Sequence, residues 1–96
     1  MNYGRAMRIV RTARSMTQSQ FANALGVDAS YISRVESGRR TPPHDFLASV
    51  SREFDIPMTL LTFLACEAEE LKGISRVQAD AFAQELLGLF MDDGRE

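Results

Sequence analysis

An all-α fold is predicted by three features of the sequence. Apolar residues recur three and four positions apart along most of the chain. Runs that alternate with period two are few, and β-branched residues never cluster. Glycines, prolines and short polar residues fall where successive helices would stop and start. With 96 residues, 45% hydrophobic and 25% charged, the chain has the balance of one globular domain with a single modest core.

The elements follow in order. Ala6, Ile9, Val10 and Ala13 form one apolar stripe on a first helix over roughly residues 3–14. Thr17 and Gln20 then form a Thr-x-x-Gln capping box, in which each side chain satisfies an orphan backbone N–H at a helix start. That second helix turns Phe21, Ala22 and Leu25 inward and stops at Gly26, a residue able to take positive φ. Asp28 is placed to cap a third helix, with Ile32 and Val35 inward and Gly38 as its stop. The prolines at 42 and 43 end the connection and open a fourth helix marked by Leu47, Val50 and Phe54. Asp55-Ile56-Pro57 breaks the pattern. Leu60, Leu61, Leu64, Ala68 and Leu71 read as one fifth helix ending at Gly73. A second capping box, Ser75 with Gln78, opens a sixth helix with Ala79, Phe82, Ala83, Leu86 and Phe90 on one face.

Charge is divided unevenly along this plan. Residues 1–40 hold seven arginines against Asp28 and Glu36, a balance of +5, while residues 41–96 hold four bases against eleven acids, a balance of −7. A net charge of −2 therefore conceals a basic half suited to a polyanion. The plainer alternative is that these arginines only solvate helix faces.

Several function classes find little support. No apolar run is long enough for a bilayer, and the N-terminus lacks the pattern of a secretory signal, so a cytoplasmic protein without a membrane role is expected. Cys66 is the only cysteine and reads as a small hydrophobe or a bystander. His44 is the only histidine and reads as an exposed helix-start residue. No metal-ligand spacing, phosphate loop or nucleophile–base pair is present, so neither an enzyme nor a cofactor is expected.

The stretch TQSQFANALGVDASYISRVESGRR, from Thr17 to Arg40, is the most informative. Its two helices are joined by about three residues around Gly26, a connection that makes them cross steeply. Ala22 is small where they approach, and Phe21, Leu25, Val27, Ile32 and Val35 line the inside of the corner. These residues, with ESGRRTPP after them and FLASVSREFDIPMTLL further on, resemble the helix-turn-helix domain of the Cro/C1-repressor (XRE) family over roughly residues 5–64.

The resemblance implies a five-helix lambda-repressor-like core ending near Leu64, and the whole helix-turn-helix domain is assigned to 3–71. The additional C-terminal helix, 74–91, is read here as the dimerisation element and 92–96 as a flexible acidic tail. It also implies that the helix from about Asp28 to Ser37 enters the major groove. Ala29, Ser30, Ser33 and Arg34 match base-facing positions, and Ser37, Arg39 and Arg40 match the backbone grip that follows. Gln18 matches a residue that contacts phosphate or packs beside the groove. Tyr31 has two readings, stacking on sugar or phosphate and partly buried packing. Arg34 is the best base reader on chemical grounds, because its planar guanidinium can bond guanine O6 and N7 together. Family members that read adenine here often use glutamine where this chain has Ala29, so an operator cannot be borrowed.

Glu36 is an acid on the helix meant to face phosphate, and the family sets an arginine of the first helix against it, here Arg11. The expectation is a partly buried pair that fixes the first helix to the third; a surface glutamate is the alternative. Arg5, Arg8 and Arg14 read as solvated face residues, with Arg14 the closest of them to phosphate reach. The sixth helix carries further apolar residues off its main face, Val77, Leu87, Leu89 and Met91, which suggests a homodimer; packing back on its own domain is the alternative. The expected function is a DNA-binding transcriptional regulator, a dimeric repressor on double-stranded DNA. A protein-interaction module or antitoxin with a protein partner is the rival.

Overall fold

The computed structural model describes residues 1–91, with side chains through residue 88. The expected tail, 92–96, and the side chains of Leu89, Phe90 and Met91 lie outside the described residues. Six α-helices and no strand are found among those described: α1 (Tyr3–Ala13), α2 (Gln18–Leu25), α3 (Ala29–Glu36), α4 (His44–Phe54), α5 (Met58–Ala65) and α6 (Arg76–Met91). No helix among them is long and apolar enough to cross a membrane.

The helices α1 to α5 enclose one core. α1 is its central strut, packed on both α5 and α3, while α2 leans on α3 and α4. Met7 and Val10 of α1, Phe21 of α2, Ile32 of α3, Val50 of α4 and Leu61 of α5 are all fully buried. Met7 and Phe46 belong to this core although neither lies on the stripes marked in the sequence, whereas Ile9 and Leu25 are only half-buried. The Phe21 and Phe54 rings stack 5.1 Å apart and join α2 to α4.

Local chemistry fixes the boundaries. The Thr17–Gln20 capping box is complete: Thr17 Oγ1 accepts from the Gln20 N–H at 3.0 Å, and Gln20 Oε1 accepts from the Thr17 N–H at 2.9 Å. Gly26 ends α2 in the left-handed region at φ 72°. Asp28 occupies the N-cap position of α3, but its side chain makes no capping hydrogen bond. The expected cap is therefore positional only.

The fifth helix is shorter than its apolar stripe implied. It stops at Ala65, Cys66 and Glu67 are extended, and Ala68–Leu71 forms a separate 3-10 turn. The cause lies at the other end of the chain. Arg5 donates to the carbonyls of Leu64 and Cys66, and the Asn2 N–H donates to the Ala65 carbonyl, so the last carbonyls of α5 are satisfied from α1. Arg5 is thus a clasp between the two helices, not a solvated face residue. Arg14 likewise donates to the Phe54 carbonyl at 2.8 Å and lies over the Phe54 ring.

One glycine sets the spacing of α1 and α3. A Cβ on Gly4 would collide with the Val35 carbonyl oxygen and crowd the Glu36 backbone, and backbone cannot swing aside as a side chain can. Gly4→Ala is expected to lower stability by about 1–3 kcal/mol through overpacking, despite the roughly 1 kcal/mol that alanine gains in helix propensity. Urea denaturation measures it; an unchanged midpoint would mean that the two helices separate without resistance.

α6 sits apart from this frame, against α5 and α1. The Phe82 ring stacks on Phe63 at 4.4 Å, and Leu86 packs at the core's edge, but no described residue of α6 is buried. Ala79 and Ala83, expected to face inward, are exposed. The helix rests on a narrow line through Phe82 and Leu86, too narrow to cover the flanking alanines.

Candidate nucleic-acid interface

The corner built by α2 and α3 brings most of the predicted site residues to one end of the molecule. On α3, Ser30 is exposed, and Ala29, Ser33 and Arg34 are half-buried beside it. The inner face of the same helix is occupied by Ile32 and Val35, with Ala29 packed at the core's edge, which leaves Ser30, Ser33 and Arg34 outside the core.

Glu36, the acid on this helix, is turned inward. Its side chain is 1% exposed. Arg11 Nε donates to Oε2 at 2.7 Å and Arg11 Nη2 to Oε1 at 2.9 Å, the two-pronged geometry in which a guanidinium binds a carboxylate most tightly. Gln18 Nε2 donates to Oε1 at 3.1 Å, and Arg8 Nε lies 3.5 Å from the same oxygen. The remaining Arg11 nitrogen, Nη1, donates to the Met16 carbonyl before α2. One carboxylate thus ties α1, α2 and α3 together. Burial pushes the Glu36 carboxyl up, but hydrogen bonds from Arg11 and Gln18 and the charges of Arg11 and Arg8 outweigh it, leaving the group below the usual carboxylate range. The Arg11 guanidinium is raised in turn, chiefly by its hydrogen bonds to Glu36.

This cluster adds two side chains to the expected Arg11–Glu36 pair. The Gln18 amide points its donor at Glu36, so the residue packs beside the corner and steadies the start of α2. Arg8 was set aside as a face residue, although it stands one turn before Arg11 on the same helix, a spacing that could have flagged it.

After Glu36 the chain reverses in a Schellman motif. Gly38, at φ 83°, lets its own N–H reach the Val35 carbonyl at 3.1 Å and the Arg39 N–H reach the Arg34 carbonyl at 2.9 Å. The turn presents Arg39 and Arg40, both exposed, directly beyond α3. Each is held by a neighbour. Ser37 Oγ donates to the Arg34 carbonyl and accepts from Arg39 Nε, both at 3.1 Å. The Arg40 guanidinium lies 5.3 Å from the centre of the Tyr31 ring, and that ring meets Phe46 edge-on at 5.2 Å. Tyr31 is half-buried, wedged between α4 and an arginine.

The result is a surface of Arg34, Arg39 and Arg40 with Glu36 neutralised inside the protein. Nothing in this corner arranges a nucleophile with a base, and among the described residues no group of His, Cys, Asp or Glu is set to hold a metal ion. A family model described as Helix-turn-helix matches residues 7–61, from α1 into α5. No curated protein and no solved structure matches the chain.

Proposed function

Because the chain belongs to the Cro/C1-type (XRE) helix-turn-helix family of DNA-binding regulators, we propose that it acts as a repressor, a homodimer whose α3 helices enter successive major grooves. In this reading Arg34 is the principal base reader, by paired bonds to guanine O6 and N7, and Ala29, Ser30 and Ser33 make the remaining base contacts. Arg39 and Arg40 grip phosphate beyond the helix. Gln18 acts through the corner: by steadying the start of α2 it keeps the backbone N–H groups there available to a phosphate.

The observation that carries the proposal is the fate of Glu36. Its carboxylate is spent on Arg11, Gln18 and Arg8, so the acid at the C-terminal end of α3 is withdrawn from the surface that Arg34, Arg39 and Arg40 share, and the exposed acid Asp28 stands at the opposite end of the helix. An acid left free at this place would repel a phosphate backbone. Dimerisation is supported by exposed apolar residues on α6, with Val77 at 77% and Leu87 at 58% exposure. Two copies joined there would set two recognition helices about 34 Å apart, one turn of DNA. Occupancy of an operator would then exclude polymerase. The same apolar face supports, as a second reading, a regulator whose C-terminal helix holds a protein partner, as an antitoxin does.

The test is binding to the DNA upstream of the protein's own gene against scrambled DNA of equal length, at several salt concentrations. Preference for the native fragment with a steep salt dependence is expected; equal, weak binding to both would count against an operator there. Variants separate the roles. Arg34→Ala is expected to reduce discrimination between sites by about 1–3 kcal/mol. Arg39→Ala is expected to weaken every sequence alike and to reduce the salt slope by about one unit. Equal loss on all sequences for Arg34→Ala would remove it from the base-reading set.

A further inference from the structure

Two neutral residues, Tyr31 on the recognition helix and Ser37 at its C-cap, hold the two arginines of the turn, and the placement of Tyr31 has a functional meaning. Resting on the DNA-binding reading above, we infer that Tyr31 is a positioning residue: its ring is a platform that aims Arg40 at the DNA backbone. Phe46 is 8% exposed and belongs to the core. Its ring meets Tyr31 edge-on, with planes at 75°, so the Tyr31 ring is backed by a fixed partner. The face of that ring lies under the Arg40 guanidinium at 5.3 Å, within the range of a cation–π contact. Arg40 is itself exposed and has no carboxylate partner among the ion pairs of the described residues.

A flexible exposed arginine loses side-chain freedom when it grips a phosphate. The ring removes part of that freedom beforehand, because an aromatic face attracts the guanidinium plane without using its N–H donors. Those donors stay available for phosphate oxygens. A carboxylate in the same place would have consumed them and cancelled the charge. The backbone supports the same aim: the Arg40 N–H donates to the Arg34 carbonyl at 3.1 Å, so both ends of the residue are fixed to α3.

The platform needs the ring and not the phenol hydroxyl, which gives a clean experiment. Affinity for mixed-sequence duplex DNA is measured, since a backbone grip does not require the operator. Tyr31→Phe is expected to bind as the parent does. Tyr31→Leu is expected to lose about two- to fivefold, the scale of an exposed cation–π contact. Arg40→Ala is expected to lose at least as much, with the salt slope lower by about 0.9. In the Arg40→Ala background, Tyr31→Leu is expected to add nothing. If Tyr31 instead met phosphate through its own hydroxyl, Tyr31→Phe would lose affinity and the two losses would add; either result overturns the inference. Parent-like binding by Tyr31→Leu does so as well. Urea denaturation of each variant shows whether a loss of binding comes from unfolding, and Tyr31→Phe and Arg40→Ala leave the core contacts in place. A parent protein that fails to bind any duplex would sink the DNA-binding reading itself, which is a different result from these.

Discussion

Arg11→Met is expected to destabilise the protein by about 3–5 kcal/mol, because it leaves the Glu36 carboxylate buried without its principal partner. With Glu36 1% exposed, water cannot replace the two bonds that Arg11 makes. Gln18 and Arg8 still reach the carboxylate, but from one side only, both at Oε1. Replacing both partners, as Arg11→Met with Glu36→Leu, is expected to recover much of the loss, since two apolar groups need no desolvation. Chemical denaturation of the two variants decides it: an Arg11→Met midpoint equal to the parent's would mean that the carboxylate is hydrated after all.

The same cluster fixes an acid-side dependence. The Glu36 carboxyl titrates lower in the folded protein than in the unfolded chain, where a glutamate titrates near pH ~4.3. Its contribution to stability is therefore complete above that range and is lost as pH falls through the lower, folded value. Glu36→Gln is expected to be less stable at neutral pH and to show a shallower decline towards acid. An equal slope in both proteins would assign the acid sensitivity to other carboxylates.

Phe21→Ala is expected to cost a similar amount, about 3–5 kcal/mol. α2 is an eight-residue helix in which only Phe21 and Ala22 are buried, so one ring supplies most of its anchorage. That ring is fully buried and stacks on Phe54, which in turn lies beneath Arg14. Removing it opens a cavity between α2 and α4. The corner's internal turn at Gly26 survives, so the loss should be read as detachment of α2 from the body. Thermal denaturation measures the cost, and amide exchange in residues 18–25 locates it. Loss spread evenly over all helices would contradict the local reading.

Features written in neighbouring residues were legible in the sequence. The Thr17–Gln20 box, the stop at Gly26 and the prolines before α4 each depend on chemistry within four residues, and each stands where it was expected. Features that depend on distant residues were hidden. The break after Ala65 has no Gly or Pro to announce it, and its cause is Arg5 and Asn2 from the start of the chain. Nothing beside Gly4 in the sequence marks it, because the backbone that presses against it belongs to α3. The site divides in the same way. The outer positions of α3 were marked by the family resemblance, and packing was one of two readings for both Gln18 and Tyr31; the partners that decide it, Glu36 and Phe46, lie on other elements.

The clasp between α1 and α5 has a topological consequence. The contacts of the α2–α3 corner join residues close in sequence, whereas Arg5 and Cys66 are separated by 61 positions. Closing a loop costs chain entropy that grows by about 0.6 kcal/mol with each doubling of its length. The α2–α3 corner is thus the locally assembled part of the molecule, and the strut that holds it belongs to the long-range part. A cut in the connection between α3 and α4 would leave the corner whole within one fragment, and would turn the clasp into an encounter between two molecules.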